Sequence, residues 1–386
     1  MNRFCIGTLA WLTAALLTAQ SALAANVTEA ASAPGQSSVS TTASGSVSFG
    51  GDGIQSIGET AENTKEQAVQ AGSTAVQISN VAQPSSAGIS GYTVIGSSEQ
   101  SNVDTTIGLG GASITLMKGK ETGQQLCLIV KSSDGHMLVV DGGLKTNAPY
   151  LAEFIRSNGG RVDAWLLTHP HVDHCGALAV MLEQRKSGSG EYSDLSLGDI
   201  YYGFASEDYY RAHEQSYRIP FIEEIDSALA SYDSSKLHYN SPAGTTIQVG
   251  NVSVQIMNQV FLSEVDTGNN SSIVYMITVG GKKLLVLGDT PYELAQELMK
   301  NYSADALKAD IVQIAHHGQH GGSLEFYRMI SPRYALWPSS EEIWDKVSDS
   351  YDENQTTYTV ALTKHWMDLI GVEKNYIMKD GNWTLK

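Results

Sequence analysis

Residues 168 to 177 read Thr-His-Pro-His-Val-Asp-His-Cys-Gly-Ala, and the H-x-H-x-D-H spacing within them constrains what this chain can become more than any other feature. Pro170 pushes the residue before it out of the helical region. His169 and His171 therefore sit on an extended segment, where side chains two apart project to the same side. Two imidazoles placed that way can reach one cation, and Asp173 and His174 then turn toward a second. The pattern is that of a two-metal site at the junction between an extended chain and a helix.

Short apolar runs surround this motif. Ile114 to Met117, Leu126 to Val130, Met137 to Val140 and Ala164 to Leu167 read as strands, and Ser133-Asp134-Gly135 as a hairpin turn, since Asp and Gly accept the positive φ of tight hairpins. Helical patterns run from Ala148 to Ser157 and from His174 to Gln184. Further strands are expected at Thr245 to Val249, Val252 to Met257, Ile273 to Val279, Lys283 to Leu287 and Arg333 to Trp337. A helix is expected from Thr359 to Ile370, and a closing hairpin from Tyr376 to Leu385 around Asp380-Gly381. Sheets flanked by helices form an α/β domain of packed layers. Residues 204 to 240, rich in Tyr and acidic side chains, interrupt the pattern and read as a partly helical flap near the site mouth, with His213 and His238 as surface residues.

Three further features stand in a characteristic order around the motif: Asp141-Gly142-Gly143, Gly288-Asp289 and His316-His317-Gly318. Together with H-x-H-x-D-H they resemble the signature of the metallo-β-lactamase superfamily. The stretch from Asn269 through Val274, followed by Leu284 to Asp289 and Lys308 to Val312, is similar to the hydrolase domain of ComEC-type DNA-uptake channels. The resemblance covers roughly residues 112 to 386. It implies a four-layer αββα sandwich and a metal-dependent hydrolase. It also implies that His169 and His171 bind a first metal, Asp173 and His174 a second, and that Asp289 bridges them. Either His316 or His317 would complete the second site, with preference for His317, and Asp141 would orient the metal loops by hydrogen bonds. Lactam-hydrolysing members carry a further His where this chain reads Asp266-Thr267-Gly268-Asn269-Asn270-Ser271-Ser272, so the first site should be more open, and Asn269, Asn270 and Ser271 are a candidate substrate loop. Where the channel domain has a Gly-Asp pair, this chain has Gly123-Gln124-Gln125. The N and O ligand set suits Zn²⁺ first and Mn²⁺ second. Asp173, Asp289, His316 and His320 are the candidate catalytic groups, the two His for leaving-group protonation. Two cations clamp the non-bridging oxygens of a phosphodiester and lower the pKa of a water they share. The expected activity is therefore phosphodiester or other phosphate-ester hydrolysis. Hydrolysis of a carboxylic ester, lactone or amide, and a catalytically idle metal-binding surface module, are the alternatives.

The remainder of the 386 residues bounds the setting. Arg3, the apolar run from Phe4 to Ala19, and Ala22-Leu23-Ala24 read as a signal peptide over residues 1 to 24, cleaved near Ala24, so the mature chain is expected to be periplasmic or extracellular without a membrane span. Residues 25 to 110 form a Ser/Thr/Ala/Gly-rich spacer with a possible short helix at 63 to 71, and residues 111 to 386 the hydrolase domain. With Lys and Arg numbering 24 against 41 Asp and Glu, the net charge is −17, which disfavours a strong grip on duplex DNA. A small-molecule or envelope phosphate ester is the expected substrate. Cys127 and Cys175 are expected as separate buried thiols, a disulfide or a ligand role for Cys175 being the alternatives.

Overall fold

The computed structural model describes residues 101–188, 190–345 and 360–386. The expected signal peptide, most of the spacer and the helix at 63 to 71 lie outside these. Among the described residues, fifteen strands build two sheets. The first holds β1 (Ser101–Asp104), β2 (Ser113–Leu116), β3 (Cys127–Lys131), β4 (Met137–Asp141), β5 (Arg161–Leu166), β6 (Ser196–Tyr202) and β7 (Leu237–Tyr239). The second holds β8 (Thr246–Val249), β9 (Val252–Ile256), β10 (Tyr275–Val279), β11 (Lys282–Val286), β12 (Ile311–Gln313), β13 (Tyr334–Trp337) and β14 (Lys374–Ile377), and β15 (Asn382–Leu385) returns to the first. Their orders are β1-β15-β2-β3-β4-β5-β6-β7 and β14-β13-β12-β11-β10-β9-β8.

The first sheet is antiparallel from β15 through β2 and β3 to β4 and parallel from β4 to β7, with β1 added parallel to β15 at its edge; the second is antiparallel from β8 to β11 and parallel from β11 to β14. Strand alternation explains the layering. Leu128 and Val130 of β3 and Ile277, Leu284 and Val286 of β10 and β11 enter the core between the sheets. Ile129 faces the opposite way, toward α1 (Ala148–Ser157) and α2 (Val172–Lys186). Met276 and Leu285 likewise meet the helices outside the second sheet, among them Leu324–Ile330 and Val360–Ile370. Period-two side chains that are apolar on both faces require cover on both faces, and the αββα sandwich supplies it.

Two sequence expectations change. Tyr376 to Leu385 is not a hairpin: β14 pairs with β13 in one sheet, and β15 pairs with β1 and β2 in the other. Tyr376, Met378 and Leu385 all face the inter-sheet core, so the chain crosses the sandwich at Gly381 instead of folding back. The folded unit also begins earlier than residue 111. Strand β1 adds to the sheet edge, and Asp104 accepts from Tyr376 Oη (2.9 Å) and pairs with Lys374. The site loops all leave the carboxyl ends of strands β4, β5, β11 and β12, at one edge of the sandwich, the usual place for ligands in α/β sheets.

Candidate metal centre

Strand β4 ends on Asp141, a buried residue held at φ 59°, and its carboxylate organises the loop that follows β5. Thr168 donates to it from its backbone N–H (2.7 Å) and hydroxyl (2.8 Å), and His174 Nδ1 lies 2.7 Å from Oδ2. Burial raises the Asp141 pKa against the pull of His174. His171 is the extended N-cap of α2, so Asp173 and His174 fall in its first turn. His169 and His171 project together, Nε2 of one 2.9 Å from Nδ1 of the other.

Asp289 leaves the end of β11 on a loop fixed by a group the sequence reading missed. The fully buried Gln313 accepts from the N–H groups of Leu287 and Gly288 (both 2.8 Å) and donates to the carbonyls of Gly288 and Ile314. A buried polar residue ending an apolar strand was the available signal. Gly288 has φ +57°, and a Cβ there would stand 2.7 Å from Thr168 Cβ; the close approach of the two metal loops needs glycine.

His316 and His317 both hold left-handed backbone (φ 48° and 55°), a strained state that persists only where surroundings impose it. His317 Nδ1 donates to Pro338 O at 2.9 Å. That carbonyl can only accept, so the lone pair of His317 is on Nε2, which faces Asp173 (3.2 Å) and Asp289 (3.5 Å). The Asp141 carboxylate likewise places the Nδ1 proton of His174 and leaves Nε2 toward Asp289, 3.2 Å away.

Two groups of donor atoms result: His169, His171 and Asp289, and Asp173, His174 and His317, the atoms in each lying within 4.8 Å of one another. His174 Nε2, His317 Nε2 and Asp289 Oδ1 are buried without hydrogen-bond partners. Three orphaned polar atoms facing one another are costly unless a ligand satisfies them, and N and O donors in this arrangement fit two divalent cations. The carboxylates make the centre of this cluster favour positive charge. Burial opposes charging His174 and His317, yet Asp289, with Asp141 beside the first and Asp173 beside the second, outweighs it, holding His174 well above its ordinary value and His317 at about 9. His169 is pushed well down by burial and by its neighbouring imidazoles, which keeps it a neutral donor. Burial also takes His316 down to about 4.

The other expected residues are placed less uniformly. His316 Nε2 stands 3.8 Å from Asp289 and the residue lines the cavity in front of the centre. His320 stands beside His316, ring centroids 5.7 Å apart, and is not part of that lining. In α5 (Thr267–Asn270), Asn269 gives its amide N–H groups to Asp266 (3.0 Å) and keeps a buried, partnerless Oδ1. Asn270 donates to Val265 O (2.7 Å), and Ser271 bonds Tyr210 Oη and Gly268 O. Ser271 thus ties α5 to the insertion through Tyr210. The thiols of Cys127 and Cys175 are free and buried, Cys175 Sγ donating to His169 O.

The insertion does reach the site. Its helices α3 (Glu207–His213) and α4 (Ile219–Ala230) bring Tyr217, Arg218 and Phe221 to a cavity of about 360 Å³ whose other walls include Gln124, His171, Asp173 and Asp289. The buried Glu214 carboxylate accepts from Gly268 N–H and lies 3.9 Å from His171 Nε2. His213 and His238 stay outside the lining, His238 stacked on Tyr201 with Nε2 3.0 Å from Asp199.

The metallo-beta-lactamase superfamily model matches residues 121–336, and the chain belongs to that superfamily. ComE operon protein 3 of Bacillus subtilis (strain 168) is 25% identical over 188 residues, 48% of this chain and 21% of that protein; the chain thus spans about a fifth of that relative's length. Among solved structures, the metallo-beta-lactamase fold protein YhfI from Bacillus subtilis is 11% identical (TM-score 0.43, 71% of this chain and 99% of that one). Zn(2+)-bound PqqB from Methylobacterium extorquens is 13% identical (TM-score 0.41, 71% and 99%). Among the described residues no helix is long and apolar enough to cross a membrane.

Proposed function

We propose that this protein is an exported phosphoesterase that hydrolyses a phosphodiester with two divalent cations, Zn²⁺ or Mn²⁺, held by His169, His171 and Asp289 and by Asp173, His174, His317 and Asp289. The observation that carries this reading is a pair of adjoining donor groups, the Asp289 of one standing 3.2 Å from His174 and 3.5 Å from His317 of the other, whose Nε2 atoms face inward without hydrogen-bond partners. Such ions supply Lewis acidity at phosphoryl oxygens and make water acidic enough to attack at neutral pH.

The chain's own groups do the rest. Asp141, Gln313 and Pro338 O hold the ligand loops so that little reorganisation accompanies reaction. The cavity wall of Tyr217 and Phe221 limits water, and His316 offers an N–H to an oxygen of substrate or leaving group. An Asn and Ser loop in place of a third imidazole favours a substrate that brings its own oxygens to the first ion, as a phosphodiester does. Export rests on the N-terminal run from Arg3 to Ala24.

The test is turnover by mature protein, purified with its bound metal counted and then reloaded with Zn²⁺ or Mn²⁺. Chelator-sensitive cleavage of bis(4-nitrophenyl) phosphate, with little of a lactone or nitrocefin, is expected. Turnover of the carboxylic substrates alone would replace this reading with carboxyl hydrolysis, and no turnover at all would favour a metal-binding module.

A further inference from the structure

Arg218 is the sole lysine or arginine among the residues lining the cavity, in a chain of net charge −17. It is three-quarters buried at the mouth, its side chain 24% exposed. Among the described residues its side-chain hydrogen bonds all come from Nη1, to Glu214 Oε1 at 3.1 Å and His171 Nε2 at 3.3 Å. The second of these contacts cannot coexist with a cation on His171 Nδ1. A neutral imidazole that gives one nitrogen to a metal carries its proton on the other, so Nε2 would be a donor facing Glu214, and Arg218 would have nothing to donate to there. The guanidinium then keeps Glu214 through one nitrogen and has its other donors for the cavity. Gly268 makes room for this contact, since a Cβ there would fall 2.2 Å from His171 Nε2 and 2.8 Å from Glu214 Oε2. Flanking it are Phe221 and the strongly exposed Tyr217, over whose ring the guanidinium sits at 5.5 Å.

We propose that Arg218, buttressed by Glu214, is the specificity-determining residue of a subsite for a second anionic group of the substrate, carried beside the phosphodiester that reacts. Position argues for the neighbouring group over the reacting one, because the guanidinium stands one imidazole ring behind the donor atom of His171. A largely buried guanidinium with donors left over is the geometry that recognises carboxylate or phosphate oxygens. Tyr217 and Phe221 would cover the apolar link between the two charges. The proposal rests on the phosphoesterase reading, and its test separates the two.

Two diesters share a reacting phosphate and a leaving group: 2-carboxyethyl 4-nitrophenyl phosphate, and its propyl counterpart without the second charge. The metal-loaded protein should prefer the carboxylate ester by about tenfold in kcat/KM, mainly through KM. The ratio should fall to about one in Arg218→Met and stay intermediate in Arg218→Lys. Since Arg218→Met strands the buried Glu214 charge, the double variant Glu214→Gln/Arg218→Met serves as the well-folded control and should show the same ratio near one. Absence of a preference in the wild-type protein, or its survival in both Met variants, would overturn the subsite. If neither ester is cleaved, it is the phosphoesterase reading that fails, and calorimetric binding of 3-phosphonopropionate against propylphosphonate still decides. Tighter binding of the former that vanishes in the double variant supports the subsite, and equal binding refutes it.

Discussion

Replacing Asp226 with Asn should stabilise the protein at alkaline pH and progressively less as the solution is acidified. Asp226 lies on α4 beside the buried Ile225 and is itself partly buried. Burial, with the nearby Glu207 carboxylate adding to it, pushes its pKa up to about 6 from an ordinary 3.8. No ion-pair partner faces it among the described residues; the other titratable groups that sense its charge are Tyr202, Tyr210 and Cys175. The sign follows from proton binding. Between pH 3.8 and about 6 the folded state holds more protons than the unfolded one, so stability falls as pH rises through that window. A tenfold change in proton affinity is worth ~1.4 kcal/mol, which sets a ceiling of ~3 kcal/mol above pH 6; residual solvent contact reduces it to about 1–2 kcal/mol. In a domain of this size the gain corresponds to a rise in Tm of about 3–6 °C. Urea unfolding of wild-type and Asp226→Asn protein at pH 8 and pH 5 measures it directly, and the difference at pH 5 should be about half that at pH 8. A variant that is neutral or destabilised at pH 8, or a difference independent of pH, would refute the argument.

Asp289→Asn should abolish hydrolytic turnover, since it removes the carboxylate that belongs to one donor group and stands 3.2 Å from His174 and 3.5 Å from His317 of the other, whereas His320→Ala, outside the cavity lining, should lose less than about tenfold; equal losses in a kinetic comparison would contradict these placements. Gly268→Ala should displace His171, because its Cβ would fall 2.2 Å from Nε2, and lower bound metal by about one equivalent in elemental analysis while the circular dichroism spectrum is retained. Asp104→Ala should cost about 1–3 kcal/mol in denaturant unfolding by leaving Tyr376 Oη and the Thr106 N–H without their acceptor; an unchanged midpoint would mean that β1 contributes nothing to the folded unit.

Local chemistry made much of this protein legible from the chain alone. Pro170 and the two-residue spacing put His169 and His171 on one side of an extended segment, and the same logic started α2 at the motif. Period-two apolar runs located most strands, and Asp134-Gly135 located the β3–β4 turn. Each of these follows from sterics within a few residues. Tertiary contacts decided the rest. Whether His316 or His317 faces Asp173 depends on the Pro338 carbonyl, which fixes one tautomer from 21 residues away. Glu214 and Arg218 read in sequence as two more charges in an acidic insertion, and only the fold of α3 and α4 against α5 brings them to His171. Residues 376 to 385 carry a hairpin's local signals, yet β14 and β15 join different sheets, because Tyr376 and Leu385 bury more apolar surface in the inter-sheet core than a free-standing hairpin could.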